Sequence, residues 1–268
     1  MCGSGDMMGM LRRLGESIRA SQLWRSVFRQ GIPRDRRSRV LAVMGNVFLH
    51  LHPPELRRSG VRLSFTWCLG GLTFFLFLVE AVTGILLMFY YRPVAEYAYH
   101  DMVGLRGHVS FGLLREIHRW GAHLMVITCW LHLLRVFLTG SYRPPREFNW
   151  VVGVCLLVLT MLMSFTGYLL PWDQLALWAV TVGTNMAAAA PWLGSEGPGS
   201  SLLAVEGIPL VHPGSDVRFA LLGGVAVGPA ALMRFYVLHC VALPVLAGVL
   251  MAVHFWRIRR DGGISGPL

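Results

Sequence analysis

The chain has 268 residues, of which 54% are hydrophobic and only 14% are charged, and its mean hydropathy is +0.54. A soluble protein of this length needs more charge to cover its surface, so this composition excludes a soluble enzyme and a disordered chain. The formal net charge is +10, and all 24 basic residues are arginine because the sequence contains no lysine. The long apolar runs make a membrane, not nucleic acid, the partner that this charge predicts.

Residues 1–62 form a basic segment with an amphipathic pattern. Apolar side chains recur at roughly helical spacing among its arginines, at Leu11, Leu14, Ile18, Trp24, Val27 and Phe28. This predicts a helix lying on an anionic membrane surface, and a partly disordered basic tail is the alternative. The segment lacks the apolar core of a signal peptide, so we expect no cleaved leader. The five cysteines show no CxxC or zinc spacing, which argues against disulfides and against haem attachment through two thioethers.

Residues 63–268 contain four apolar stretches that are long enough to cross a bilayer as helices. The predicted spans are residues 64–90, 111–139, 150–170 and 235–256. The second span also carries three histidines and three arginines, so we expect it to lie inside the bundle. The apolar stretch 219–233 is short and interrupted by glycine and proline, and we interpret it as a surface segment. The sequence therefore predicts an all-α membrane protein with a four-helix transmembrane bundle.

The arginines are distributed unequally between the two sides of these spans. Twelve lie in the N-terminal segment, three in residues 135–146 and three at the C-terminal end, which places 18 on one side and six on the other. The positive-inside rule then places both termini in the cytoplasm, or in the stroma of a plastid. An even number of spans agrees with this orientation.

Four histidines occur at matched positions in the second and fourth spans. His118 and His132 are 14 residues apart, so on an α-helix they differ by about 40° in direction and by roughly 21 Å in height. His239 and His254 are 15 residues apart, which gives about 60° and roughly 22 Å. On antiparallel helices, His118 pairs with His239 toward the outer side and His132 with His254 toward the inner side. Two stacked bis-imidazole sites are what two b-type haems need, although a single intramembrane histidine is more often a hydrogen-bonded residue or part of a proton path.

Other residues in the spans fit the same interpretation. His123 points about 140° away from His118, so we do not expect it to bind metal. Two glycine pairs have the 14-residue spacing, Gly70 with Gly84 and Gly153 with Gly167. A flat macrocycle needs such close backbone approach, although glycine also serves helix packing. Haem propionates are expected to bind arginines near the histidines, with extension of these side chains to lipid headgroups as the alternative. These arginines are Arg115, Arg119 and Arg234 near the outer pair, and Arg135 near His132.

Several motifs in residues 64–268 form a recognisable set. They include His118-Arg119-Trp120, Arg135-Val136-Phe137, Phe165-Thr166-Gly167-Tyr168, Pro171-Trp172-Asp173-Gln174 and Arg234-Phe235-Tyr236. This set resembles cytochrome b of the quinol–cytochrome c oxidoreductases. The chain length and the ending Gly263-Ile264-Ser265-Gly266-Pro267-Leu268 resemble the short, split form, cytochrome b6, whereas Thr181-Val182-Gly183-Thr184-Asn185 is closer to the long form.

The resemblance implies a function in electron transfer. Quinol would be oxidised on the outer side, with one electron passing to a Rieske iron–sulfur protein and the other through two b haems to reduce quinone on the inner side, so that protons are translocated. A c-type cytochrome or a plastocyanin-type acceptor would receive electrons from a homodimeric complex, in a bacterial cytoplasmic membrane rather than a thylakoid. The Pro-Glu-Trp-Tyr segment that lines the family's quinol pocket is absent from this sequence. A second membrane subunit is therefore expected to supply it.

The resemblance also implies roles for residues near the two quinone sites. The contribution of this chain to the wall of the outer pocket is expected at Trp178, Ala179 and Val182. Proton delivery on the inner side is expected at Arg259 and Asp261, and the alternative is a charged helix end. Cys68 matches a family cysteine that holds an extra haem by one thioether, and a buried cysteine acting as a small hydrophobe is the alternative.

Two other functions are alternatives to this one. The cytochrome b anchor of a dehydrogenase or hydrogenase would not explain the two matched histidine spacings together with Pro171-Trp172-Asp173-Gln174. A haem-free proton-coupled transporter or assembly subunit would use the histidines for protons. Glu80 is the only carboxylate in the first span, and the sequence assigns it no partner.

Overall fold

The computed structural model describes residues 4–22, 24, 33–45, 62, 66–107, 109–205 and 207–264. The chain divides into two compact units, residues 1–56 and 57–268, each of which is described separately. The division predicted at residue 62 stays a prediction, because most of the residues around it lie outside the described part.

In the first unit, the described residues form two helices, α1 (Ser4–Ala20) and α2 (Arg36–Met44). Helix α1 exposes apolar side chains on the predicted stripe, Leu11, Leu14 and Ile18, at 50% to 62% of their surface. Asp35 begins α2 because its carboxylate accepts hydrogen bonds from the backbone N–H and the hydroxyl of Ser38, at 2.8 and 2.9 Å. Val27 and Phe28, which belong to the predicted stripe, lie outside the described residues.

The described part of the second unit is mainly helical. Its helices are, in chain order, α3 (Leu69–Met88), α4 (Ala95–Gly107), α5 (Val109–Leu138), α6 (Glu147–Leu169), α7 (Gln174–Ala188), α8 (Val217–Leu222), α9 (Pro229–Val237) and α10 (Leu243–Arg260). A π-helical turn, Leu238–Ala242, joins α9 to α10. Between α7 and α8, Ala204–Val205 pairs with Ile208–Pro209 as two short antiparallel strands.

Four of these helical segments are long and apolar enough to cross a membrane. They are Leu69–Met88, Gly112–Leu138, Glu147–Leu169 and the continuous segment Pro229–Arg260, with 20, 27, 23 and 32 residues. A bilayer core about 30 Å thick needs roughly 20 helical residues. These segments confirm the prediction of an all-α, four-span membrane protein.

The fourth span differs from its predicted bounds at the N-terminal end. It begins at Pro229 instead of residue 235, because proline suits the first turn of a helix, where its missing N–H leaves no hydrogen bond unmade. The stretch 219–233, predicted as one surface segment, is divided: α8 ends at Gly223 with a positive φ of 72°, and residues from 229 onward belong to the span.

A buried apolar layer lies midway along the bundle. Each span contributes to it, through Leu76, Met125, Leu159, Met163 and Ala247. Met125 is halfway between His118 and His132 in α5, and Ala247 is near the middle of the interval between His239 and His254. The layer therefore separates the two levels at which the histidines lie.

Candidate haem-binding sites

The structure brings the four histidines together in two opposed pairs. In the first pair, the ring centres of His118 and His239 are 6.2 Å apart and their planes are nearly perpendicular, at 88°. In the second pair, His132 and His254 are 6.4 Å apart with an angle of 81°. Both pairs join α5 to the fourth span. His123 is exposed and contacts Trp120 instead, with ring centres 5.6 Å apart.

The π-helical turn explains how unequal spacings give matched pairs. Hydrogen bonds in such a turn join residues i and i+5, so it takes up one residue more than an α-helical turn. The 15 residues between His239 and His254 are therefore equivalent to about 14 on a regular helix, which restores the 40° offset of His118 and His132. Pro244 accounts for the position of the turn, because its ring would clash with the carbonyl of Cys240 in an α-helix.

One glycine lies against each of the four imidazoles. A Cβ added at Gly84 would lie 3.2 Å from Cε1 of His118, and one added at Gly167 would lie 2.6 Å from Cε1 of His239. In the second pair, a Cβ added at Gly70 would lie 3.0 Å from Cε1 of His132, and one added at Gly153 would lie 3.8 Å from Cε1 of His254. The structure thus places a histidine ring against each of these glycines, and their close approach to a macrocycle stays a prediction.

In the first pair, the Nδ1 atoms are occupied by hydrogen bonds within the protein. Nδ1 of His239 lies 3.0 Å from the carbonyl oxygen of Met163 and 3.3 Å from the hydroxyl of Thr166. Nδ1 of His118 lies 2.9 Å from the hydroxyl of Thr83 and 3.0 Å from Oε2 of Glu80. A carbonyl oxygen only accepts, so we assign the proton of His239 to Nδ1, which leaves Nε2 free to bind a metal.

The residues present fit a haem at each pair. A metal–imidazole bond is about 2.0 Å long and a ring nitrogen lies about 1 Å from its ring centre, so iron between opposed imidazoles places the centres roughly 6 Å apart. Both pairs match this separation. Within the described residues, no three or more side chains of His, Cys, Asp and Glu gather as a metal site. Each pair could therefore hold a haem iron through its two imidazoles, and the porphyrin would supply the remaining bonds.

The arginines predicted to bind propionates have other partners as well. Arg115 and Arg119 both contact the carboxylate of Glu116, at 2.9 and 2.5 Å, so the two guanidinium groups converge on one acid. Arg234 is exposed and donates to the carbonyls of Phe219 and Ala220, where α8 ends. Arg135 is partly buried one turn beyond His132. Propionate binding by these four residues stays a prediction.

The residues predicted near the quinone sites lie at opposite ends of the spans. Trp178 and Val182 are exposed at 61% and 56% on one face of α7, and Ala179 is half-buried beside them. At the other end, the carboxylate of Asp261 is buried and pairs with Arg257 at 3.0 Å. Arg259, near Asp261, is partly buried.

Cys68 is the residue immediately before α3. It has a positive φ of 50° and is an exposed free cysteine, so it is not the buried hydrophobe that the alternative interpretation required. Gly70, two residues later, lies against His132. The thiol is therefore at the level of the second pair, as a haem attached there would require.

The sequence analysis did not identify the hydroxyls of Thr83 and Thr166 as contacts of the histidines, and it noted the carboxylate of Glu80 without a partner. A signal for the threonines exists, because the dipeptide Thr-Gly occurs at Thr83-Gly84 and again at Thr166-Gly167. Both dipeptides serve the first pair. The contact of Glu80 with His118 has no such signal, since it depends on the rotation of α3 against α5.

Comparisons with known proteins identify the family of this chain. A family model described as cytochrome b/b6/petB matches residues 57–196, and a second, described as cytochrome b(N-terminal)/b6/petB, matches residues 200–267. The chain belongs to the cytochrome b/b6 family. Cytochrome b6 of Gracilaria tenuistipitata var. liui is 39% identical over 235 residues, which are 87% of this chain and 96% of that protein.

A solved structure resembles this cytochrome b/b6 chain in three dimensions. It is a chain of a hyperthermophilic respiratory Complex III, with a TM-score of 0.62 and 28% sequence identity over 76% of this chain. The match covers 49% of that chain, so this cytochrome spans about half the length of its structural relative. Membership of the family implies binding of haem b, and the four apolar helices make the chain an integral membrane protein.

Proposed function

We propose that this chain is the dihaem cytochrome b subunit of a quinol–cytochrome c oxidoreductase, or of a related complex with a plastocyanin-type acceptor. The observation that carries the proposal is the two opposed imidazole pairs, with ring centres 6.2 and 6.4 Å apart at two levels of one helical bundle. Haems bound there would carry single electrons across the membrane, from quinol oxidation on the outer side to quinone reduction on the inner side.

The residues of this chain would hold and separate the two cofactors. His118 and His239 would bind the outer haem iron, and His132 and His254 the inner one. The glycine beside each imidazole lets the ring approach the neighbouring helix closely. The buried layer around Met125 excludes water between the two levels, so the surroundings of each site are set by the protein.

The outer quinol pocket would lie on the exposed face of α7. The buried face of this helix, at Ala176, Val180 and Thr184, packs into the bundle. The opposite face carries the exposed side chains of Trp178 and Val182, and an exposed apolar face of this kind needs a cover. We infer that quinol and a second membrane subunit with the Pro-Glu-Trp-Tyr segment cover it.

The inner quinone site would lie near the end of α10. Asp261 and Arg259 would deliver protons there, and the exposed Cys68 would hold an additional haem through one thioether on the same side. Eighteen of 24 arginines lie on this side of the spans, which favours a cytoplasmic location of both termini in a bacterial membrane. A Rieske protein, a c-type cytochrome and a second copy of the complex would complete the assembly.

The test is spectroscopy of the complex purified through a tag on this chain. We expect b-type absorption in the reduced-minus-oxidised spectrum, two b haems per chain, and co-purification of a Rieske protein and a Pro-Glu-Trp-Tyr subunit. Absence of b-type absorption would overturn the proposal and favour the haem-free transporter. Haem that stays on the polypeptide after acidic acetone, and disappears in Cys68→Ala, would establish the thioether.

A further inference from the structure

Glu80 brings a carboxylate into contact with a histidine of the first pair. It lies in the interior of α3, and its side chain is only 11% exposed. Its Oε2 is 3.0 Å from Nδ1 of His118. Within the described residues, no carboxylate lies at ion-pair distance from His239, His132 or His254, so this contact distinguishes one imidazole from the other three.

The neighbouring hydrogen bonds determine whether His118 or Glu80 is the donor in this contact. The hydroxyl of Thr83 donates its one proton to a backbone carbonyl, that of Val79 at 2.7 Å. It must therefore accept at Nδ1 of His118, 2.9 Å away. Glu80 and Thr83 are then both acceptors for the same N–H, which places the proton of His118 on Nδ1. The Nε2 atom of His118 is left for iron.

Gly121 makes room for this carboxylate on the facing helix. It lies almost one turn after His118 in α5, and a Cβ added there would collide with Oε1 of Glu80. Oε1 is buried and has no hydrogen-bond partner. Oε2 of the same carboxylate accepts from the Nδ1–H of His118, and a cationic group bound at the first pair would favour the ionised form of Glu80.

We propose that Glu80 is a positioning residue that lowers the midpoint potential of the haem held by His118 and His239. The proposal rests on the proposed function only in requiring that this pair binds haem. A porphyrin dianion with ferric iron and two neutral imidazoles carries one positive charge, and one-electron reduction removes that charge without forming or breaking a bond. A carboxylate hydrogen-bonded to the imidazole stabilises the charged, oxidised form and makes the ligand more basic.

The contrast within the first pair supports this assignment. The acceptors of His239 are the carbonyl of Met163 and the hydroxyl of Thr166, and both are neutral. Only His118 receives an acceptor that can carry a full charge, and hydrogen bonds to charged acceptors are roughly twice as strong as neutral ones. The two sites of the bundle would therefore differ in potential although their ligands are identical.

The test is Glu80→Gln in the complex as purified, with potentiometric titration of the b-type absorption. Glutamine keeps the shape and an acceptor oxygen and removes the charge. We expect about a tenfold rise in the ratio of reduced to oxidised outer haem at a fixed potential, or about 59 mV for a one-electron couple. The midpoint potential of the inner haem should not change, and it serves as the internal control. Glu96→Gln removes an exposed carboxylate with the same charge, and it should change the midpoint potential of neither haem.

Two further variants keep the proposal testable if Glu80→Gln fails to assemble. Gly121→Ala displaces the carboxylate without removing it and should raise the outer potential. Glu80→Asp keeps the charge and should stay closer to the wild type. The low-spin ferric resonance of the outer haem should shift with the potential. An unchanged outer potential in Glu80→Gln or in Gly121→Ala overturns this proposal, whereas loss of b-type absorption from the wild type would overturn the proposed function.

Discussion

The two histidine pairs have nearly the same geometry but different surroundings. Around the first pair, Thr83, Thr166 and Glu80 supply acceptors from within the spans. The second pair lies near the charged ends of the helices, where Arg257 pairs with Asp261 at 3.0 Å. Helix packing thus gives both pairs nearly the same distance between imidazole rings, whereas the polar groups around the rings differ between the two pairs. If both pairs bind haem, the two irons would have the same ligands in different electrostatic surroundings, and their potentials would differ.

The largest effect is expected from removing one residue between two ligands. Deleting Ile127 would rotate His132 by about 100° against His118, because α5 contains no wide turn to absorb the change. Deleting Val241 together with Pro244→Ala, which removes the ring that would clash in an α-helix, should instead convert the π-helical turn to an α-helical one and leave His254 in place. Both residues are about half exposed, at 53% and 51%, which makes them a matched pair.

Haem content per chain, measured as the pyridine haemochrome, decides between these outcomes. We expect the chain without Ile127 to lose at least one of the two proposed b haems and the chain without Val241 to retain both. Equal losses in the two variants would show that the π-helical turn does not compensate for the longer spacing.

A second effect is expected from replacing a glycine beside each histidine pair with alanine, because the space beside the two glycines differs. Gly167→Ala places a methyl group 2.6 Å from Cε1 of His239, and such overpacking typically costs about 1–3 kcal/mol. Gly153→Ala places one 3.8 Å from His254, at ordinary contact distance, and alanine favours a helix by up to about 1 kcal/mol over glycine. Thermal loss of b-type absorption should therefore occur at a lower temperature in Gly167→Ala only. Equal sensitivity of the two positions would contradict the difference in space beside Gly167 and Gly153.

These comparisons also indicate how far the sequence determines the site. The pairing of His118 with His239 follows from helical periodicity and antiparallel order, both readable from residue spacing. The π-helical turn at Pro244 was not predicted, because the spacing of 15 residues alone gives a 60° offset without indicating where it is corrected. Helices α4 and α7 were missed because their stretches are short and lack a clear apolar period. The contact of Glu80 requires the rotation of one helix against another, which no local pattern encodes.

The smallest effect is expected outside both pairs, at the ion pair between Arg92 and Asp101 in the connection from α3 to α5. The guanidinium donates to both carboxylate oxygens, at 2.6 and 3.0 Å, and this hydrogen bonding lowers the pKa of Asp101 from its ordinary value of 3.8. The folded chain therefore binds that proton more weakly than the unfolded chain. The stabilisation is present above the unfolded pKa and is lost as the pH falls through the lower, folded value.

Asp101→Asn removes this pH dependence. Arg92 is exposed and screened by solvent. We therefore expect the unfolding temperature of the Asp101→Asn protein at neutral pH to be only about 1–2 °C below that of the wild type. Between about pH 5 and pH 3, the wild type should lose more stability than the variant, since only the wild type protonates this carboxylate on unfolding. Parallel melting curves over that range would show that the pair contributes nothing. Since the pair lies in a connection and touches none of the four histidines, the b-type spectrum should be the same in both proteins, in contrast to the glycine and deletion variants.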